Sequence, residues 1–284
     1  MRSVYENVPY DIHWHLIVQD EYQIPTFLDK SKLIYYNDES TPGSLRIIYH
    51  RDYFPDLSVL PVFNSNAIEI AMYNLKGVGE CVMYFNDDFF VNSPITPSLN
   101  FDENGKIKSY FYQGTVFDVG KGSYYDKANA NSNELINKHY NENLRRNRAI
   151  HFWNMFRMSY FKLAGKLFEK EFNDCSKNKL RSDNDIGFYT FIYNFMRREG
   201  LTVSFYEHSD LVYYIELTTN RRWVQKDYET LRSKKHPFFC INDGLDKHKG
   251  SEKDINLVLN EFQEILNDHF SLKTPFEIDD TILN

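Results

Sequence analysis

The sequence predicts an α/β fold: a layered αβα core on a mostly parallel sheet, with a helical insertion in the middle of the chain. Three observations carry this reading. Short apolar runs of strand length alternate with stretches of helical period, the pattern of layered α/β architectures. Two of these runs stop at Asn-Asp, at 86–88 and at 242–243, as buried strands do on reaching a sheet edge. With 284 residues, 42% hydrophobic and 26% charged, the chain buries a substantial core and is neither low-complexity nor disordered. The reading takes 1–284 as a single domain.

The elements follow in order. RSVYEN, near the start, reads as the last turn and a half of a helix. IHWHLIV, 12–18, is a strand followed by a QDEYQIP turn. LIYYN, 33–37, and LRIIYH, 45–50, are two further strands, broken apart by Ser40, Pro42 and Gly43. A helix runs over 65–75 with Asn64 or Ser65 as its cap. CVMYF, 81–85, reads as a buried strand, and 107–119 alternates as a long strand or hairpin. The stretch 121–147, rich in Asn and Lys, is expected to be a mobile loop or insertion. Residues 133–170 turn helical with a break near 147–150. A helix over 183–198, capped by Ser182 or Asp183, precedes a strand at 202–206. A helix at 221–233, a strand at 237–241 and an amphipathic helix at 253–269 complete the chain.

Composition excludes several classes of function. With 33 Lys+Arg against 40 Asp+Glu, the net charge is −7, and no basic footprint exists for tracking a nucleic-acid backbone. No apolar run reaches the roughly 18–20 residues of a membrane span. The three cysteines, Cys81, Cys175 and Cys240, form no CxxC pair, so neither a zinc knuckle nor a thioredoxin-like motif is available. Cys81 and Cys240 adjoin apolar runs and are expected to be buried thiols. Without an apolar signal core at the N-terminus, a reducing cytoplasmic setting is the default. The aromatic load, 21 Tyr and 23 Phe, suits core edges and sugar-facing surfaces alike.

Four local patterns point to chemistry. In YFNDDFF, 84–90, a strand stops at Asn86, Asp87 and Asp88 and sets two carboxylates at a carboxyl edge, where α/β sheets bind ligands. Such hard oxygens suit Mg²⁺ or Mn²⁺, and that ion suits the diphosphate of a nucleotide-sugar. The alternative is an Asn-Asp turn that merely closes a strand. After HRDYFP, 50–55, the run LPVFNSNAIE, 60–69, crowds Asn64, Ser65 and Asn66 at a helix start, with Glu69 about one turn on. That start favours a phosphate, although these residues also cap helices without any ligand. His151 is a candidate general base and Arg181 a phosphate fork, against the alternatives of a core histidine and an ordinary helix start. FFCINDG, 238–244, repeats the strand-ending Asn-Asp with Asn242 and Asp243. HWH, 13–15, puts two histidines on one strand face without a third ligand nearby.

Taken together, these segments resemble the Stealth family of sugar-1-phosphate transferases, which includes bacterial capsular polysaccharide phosphotransferases and the animal lysosomal-enzyme GlcNAc-1-phosphotransferase. HRDYFP, LPVFNSNAIE and YFNDDFFV are similar to the family's second conserved region. KLRSDNDIGFYTFIYNFM, preceded by His151, resembles the third, and FFCINDG the fourth. The resemblance implies a single catalytic domain that transfers sugar-1-phosphate from a nucleotide-sugar such as UDP-GlcNAc to a hydroxyl of a glycan acceptor. It implies Asp88, His151, Arg181 and Asp243 as catalytic residues, and Asp87 with Asp88 as ligands of Mg²⁺ or Mn²⁺. Asn64, Ser65, Asn66, Glu69 and Asn86 would bind the donor. The setting would be bacterial and cytoplasmic, at most peripheral to the inner membrane face. The family's first conserved region would lie before residue 2, so the chain is expected to be shortened relative to its family. An ordinary metal-dependent glycosyltransferase and a non-catalytic glycan-binding remnant are the alternatives, with Tyr124, Tyr125 and Tyr140 as sugar-stacking candidates.

Overall fold

The computed structural model describes residues 1–35, 43–206, 210–245 and 250–278. Ser40, Pro42 and the last two residues of the expected 33–37 strand lie outside them. The chain begins with α1 (Arg2–Asn7), β1 (Trp14–Val18), β2 (Leu33–Tyr35), β3 (Leu45–Tyr49), α2 (Ser65–Ala71), β4 (Cys81–Tyr84) and β5 (Phe89–Val91). It continues through α3 (Pro97–Asn100), β6 (Ile107–Thr115), α4 (Tyr124–Tyr140), β7 (Asn147–Ala149), β8 (Asn154–Arg157), α5 (Met158–Leu167), α6 (Glu169–Ser176) and α7 (Phe188–Arg198). The last elements are β9 (Thr202–Tyr206), β10 (Val212–Leu217), α8 (Arg221–Arg232), β11 (Phe238–Asp243) and α9 (Glu252–His269). The fold is α/β, as expected, but its strands are shared among several small sheets rather than gathered into one. Where the sequence reading takes one domain, the chain packs as two compact units.

The first unit is assembled from Met1–Tyr10, Tyr84–Leu99 and His208–Glu277. Its sheet has the order β10-β11-β5. β10 and β11 are parallel, with Val212 opposite Phe238 and Leu217 opposite Asp243, whereas β5 runs antiparallel to β11. Parallel neighbours require a crossover, and α8 supplies it. α8 buries Val224, Tyr228 and Leu231, spaced to form one helical stripe. Tyr228 stacks on Phe262 of α9, and Leu231 meets Ile215, Phe239 and Ile241 of the sheet and Val258 of α9 in one apolar core. The rings of Phe90 and Phe239 stack at 4.7 Å within it. α1 holds the outer strand by polar contacts: Asn7 Nδ2 donates to the Val91 carbonyl at 3.1 Å, and Val91 N–H donates to Ser3 Oγ at 3.3 Å.

The second unit comprises Asp11–Met83, Asn100–Glu207 and Ile278–Asn284. It contains the parallel sheet β1-β3-β2 and a sheet β7-β6-β9, in which β9 is parallel and β7 antiparallel to β6. β4 pairs with β8. Helix α7 is buried from Phe188 to Met196 and lies among β6, β7 and β9. Around it Phe156, Phe161, Phe168, Phe172, Phe188, Phe191 and Phe195 form edge-to-face and stacked pairs 5–6 Å apart. Each such buried side chain contributes roughly 1.5–3 kcal/mol by area alone. This cluster accounts for much of the phenylalanine excess.

Several expectations are corrected. The stretch 121–147 is not a loop: α4 occupies 124–140, opened by a reciprocal Ser123–Asp126 capping box and closed by left-handed Asn141 (φ 52°). The break near 147–150 holds β7, and β8 follows it before the helical reading resumes at Met158. β10 is an additional strand. Its buried residues, Val212, Ile215 and Leu217, do not alternate strictly, and that weakens the two-residue period. α7 begins at Phe188, not 183, because residues 182–187 form a polar loop around the buried Asp185. Cys81 is exposed at the start of β4, while Cys175 and Cys240 are buried. Among the described residues, no helix is long and apolar enough to cross a membrane.

Candidate active site

In the first unit, both Asn-Asp segments arrive at one sheet edge. β4 ends at Tyr84, and the chain turns through Asn86, Asp87 and Asp88 before β5 begins. The turn is closed by Phe89 N–H donating to the Asn86 carbonyl at 3.3 Å. Because β5 runs antiparallel to β11, the Asp88 carbonyl receives Ile241 N–H at 2.9 Å, which sets Asp87 and Asp88 beside Asn242 and Asp243. β10 ends at the same place, with Glu216 opposite Asn242. This is the carboxyl edge of a parallel strand pair. Asp87, Asn242 and Asp243 are exposed, and Asp88 is half-buried.

The local backbone explains the FFCINDG segment. Asp243 Oδ1 accepts Leu245 N–H at 2.9 Å, and Gly244 N–H donates to the Leu217 carbonyl at 3.1 Å. A Cβ at Gly244 would stand 2.5 Å from Glu216 Cγ and 2.8 Å from the Leu217 oxygen, so the tight pass admits only glycine. Cys240, two residues before Asn242, donates its thiol to Asp88 Oδ2 at 3.3 Å. Burial, then the charges of Asp88 and Asp87, push this thiol well above its ordinary range, so it remains protonated. The other oxygen, Asp88 Oδ1, is buried without a hydrogen-bond partner among the described residues. An orphaned carboxylate oxygen beside the exposed Asp87 is a hard-donor set, and these residues fit a divalent cation of the Mg²⁺ type.

The second unit brings together the residues expected to bind the donor. Asn64 caps α2, its Oδ1 accepting Asn66 N–H at 3.2 Å. Its Nδ2 donates to both oxygens of Asp185 at 2.9 Å, and Asn66 Nδ2 adds a bond at 3.2 Å. Asn178 Nδ2 at 2.7 Å and Ser182 N–H at 2.9 Å complete the shell of this fully buried carboxylate. The amides of Asn64 and Asn66 are thereby committed to holding the loop 178–187. Glu69 is buried as well, and its charge adds to the burial that raises the Tyr53 hydroxyl. Ser65 stays near the surface, and exposed Arg181 donates to its Oγ at 3.1 Å.

The same loop is tied to α4. Lys127 Nζ pairs with Asp183 at 2.7 Å, and Asn131 Nδ2 donates to the carbonyls of Asp183 and Asp185. His151 stands on the bend between β7 and β8, half-buried, edge-on to Tyr189 of α7 at 5.3 Å and Tyr125 of α4 at 6.3 Å. Tyr124 and Tyr125 are solvent-facing, 50% and 37% exposed, on the first turn of α4. Tyr140 instead donates its hydroxyl to Glu199 at 2.6 Å beneath Arg198. In the HWH segment His13 is exposed, and burial with the Arg46 charge lowers His15 to about 4.

Asn86, Asp87, Asp88 and Asp243 therefore gather on one edge of the first unit. Asn64, Ser65, Asn66 and Arg181 gather around one loop of the second, with Glu69 buried further along α2 and His151 on the bend beside Tyr125 of α4 and Tyr189 of α7. The sequence reading assigns Cys240 and Asp185 no role in these arrangements. Cys240 shares a strand face with Asn242 by the two-residue period, a signal available in the sequence. Asp185 has no such signal, because its main partner Asn64 is 121 positions away.

Comparison with known proteins bears on these arrangements. Residues 1–109 match the family model described as Stealth protein CR2, conserved region 2. A capsular polysaccharide phosphotransferase of Actinobacillus suis is 29% identical over 273 residues, which cover 90% of this chain and 66% of the relative. An exopolysaccharide phosphotransferase of Lactiplantibacillus plantarum is 26% identical over 272 residues, covering 85% of this chain and 74% of that one. The chain thus spans about two thirds of the length of such relatives, 66% in the Actinobacillus protein. A capsular polysaccharide phosphotransferase of Haemophilus influenzae is 30% identical over 273 residues, covering 90% of this chain and 70% of its own. Matched by the family's second conserved region and paired along nine tenths of its length with such a relative, the chain belongs to the Stealth family.

Proposed function

We propose that the chain carries the catalytic core of a phosphotransferase of capsular or other cell-surface polysaccharide synthesis. It moves hexose-1-phosphate from a nucleotide-sugar of the UDP-GlcNAc type to a hydroxyl of a glycan acceptor, on the cytoplasmic side. The observation that carries this reading is the sheet edge where Asp87, Asp88 and Asp243 converge, with one Asp88 oxygen buried and unpaired. The relatives' names support phosphotransfer in polysaccharide synthesis.

In the reaction, the acceptor oxygen attacks the β-phosphorus of the donor and the bond from that phosphorus to the bridging oxygen breaks. UMP leaves, and the sugar's C1–O bond stays intact, so the anomeric configuration is retained. His151 takes the proton of the attacking hydroxyl. Arg181, steadied by Ser65, holds oxygens of the transferring phosphoryl group. Asp87 and Asp88 would hold Mg²⁺ or Mn²⁺, which supplies charge neutralisation to a diphosphate when bound. Asp243 completes the acidic edge, and catalysis rests on positioning and charge compensation.

The test is incubation of the chain with UDP-GlcNAc, Mg²⁺ and a panel of glycan acceptors. UMP with a phosphodiester product is expected. UDP with a glycosidic product would make it an ordinary glycosyltransferase, and glycan binding with no nucleotide release a non-catalytic remnant. Asp88→Asn and His151→Ala should each lower turnover by about 10²-fold or more with an unchanged circular dichroism spectrum. Near-wild-type turnover in both would overturn the site.

A further inference from the structure

One segment of the first unit, α8 and the turn after it, is basic in a chain that is acidic as a whole. Residues 221–235 hold six basic residues (Arg221, Arg222, Lys226, Arg232, Lys234 and Lys235) against two acidic ones, a formal +4 along the segment in a chain of −7, with Arg221 ion-paired to Glu261 of α9. Because α8 turns Val224, Tyr228 and Leu231 into the core, its opposite face carries Arg222 and Lys226, one turn apart and both exposed. Asp227 turns to the sheet and accepts the Tyr213 hydroxyl at 2.8 Å, so that Glu229, one turn beyond Lys226, is the acidic residue of α8 that shares the exposed face. Beside Arg222, Trp223 is 65% exposed.

The position of this face is as informative as its composition. α8 begins four residues after β10 ends, with Asn220 as its cap. Leu217 of β10 lies opposite Asp243 and accepts Gly244 N–H. The Arg222–Trp223–Lys226 group therefore starts at the sheet edge that carries Asp87, Asp88 and Asp243 and leads away from it along the helix.

We propose that this face of α8 binds the growing polysaccharide as a sugar-phosphate polyanion. The inference rests on the reaction proposed above. Each transfer leaves one phosphodiester, hence one negative charge, between successive sugars. An acceptor that has been extended alternates apolar pyranose faces with anionic links. Guanidinium and ammonium groups one turn apart match the links, and an exposed indole matches the sugar face. A neutral acceptor would have no use for the exposed Arg222 and Lys226. An anionic bilayer would also be attracted by basic residues and an exposed tryptophan. Placement at the acidic edge favours the polymer, which must reach that edge to react.

The test is direct binding by the full chain. Probes are an oligomer of hexose-1-phosphate units, a dextran oligomer of equal length, and vesicles of phosphatidylglycerol with phosphatidylethanolamine. The hexose-phosphate oligomer should bind and the dextran should not. R222E/K226E should lose about tenfold in affinity together with most of the salt dependence. W223A should lose severalfold while the salt dependence stays. All three positions are exposed, and circular dichroism should match wild type. Equal binding by R222E/K226E and wild type, or binding to vesicles with none to the oligomer, overturns the proposal. Turnover of a short neutral acceptor should be unchanged in these variants. If nucleotide release fails altogether while the oligomer still binds through α8, the catalytic reading falls and the binding surface stands.

Discussion

Cys240 gives Asp88 a donor that carries no charge. A lysine or arginine in its place would neutralise the carboxylate, whereas a thiol kept protonated by burial orients Oδ2 and leaves the negative charge available. Cys240→Val, which preserves volume and removes the donor, should lower kcat by about tenfold with little change in KM, and Cys240→Ser should retain most of it. Steady-state kinetics on both variants decide this, and equal kcat for Cys240→Val and wild type would leave the thiol a packing group. At this scale legibility depends on chemistry. The Asn-Asp pairs advertise themselves by composition, while a free cysteine in FFCIND reads as core, and its distant partner Asp88 cannot be inferred from either neighbourhood alone.

Among the elements, strands that end in acidic residues and helices with apolar stripes were legible, because a period and a stop signal both lie within one window. β3, β9 and α9 stand within one residue of their expected bounds. α4 was not, because its asparagines resemble loop residues until their partners are known. Asn133 and Asn137 donate to the Leu144 carbonyl, and Asn131 secures the loop that follows α6. The helix depends on its left-handed end at Asn141. Asn141→Ala should cost about 1 kcal/mol and Asn141→Gly should be close to neutral, as read from thermal unfolding midpoints. Comparable losses in both would show that the Asn141 side chain, rather than its backbone conformation, is what matters.

For the molecule as a whole, a buried histidine should set part of the acid response. His50 lies 2.8 Å from Gln19 Oε1 between Tyr53 and Phe54, and burial lowers it to about 4. Between its ordinary value near 6.5 and 4, unfolded chains take up a proton that the folded chain refuses, so stability falls as pH falls through that window. The contribution from pH 7 to pH 5 is about 2 kcal/mol. Urea midpoints at the two pH values should therefore draw closer together in His50→Gln than in wild type. An unchanged gap would show that other groups govern the acid response.

The first unit joins three stretches that are distant in sequence, and its α1 and its last described turn are clasped by Arg2 Nε on Glu277 at 2.9–3.0 Å. This has a consequence for biosynthesis. A ribosome makes α1 and β5 long before β10 and β11, so these early pieces must wait until residues 212–243 have been synthesised before their sheet can close. The acidic edge therefore forms only once β11, which joins β5 to β10, has been made.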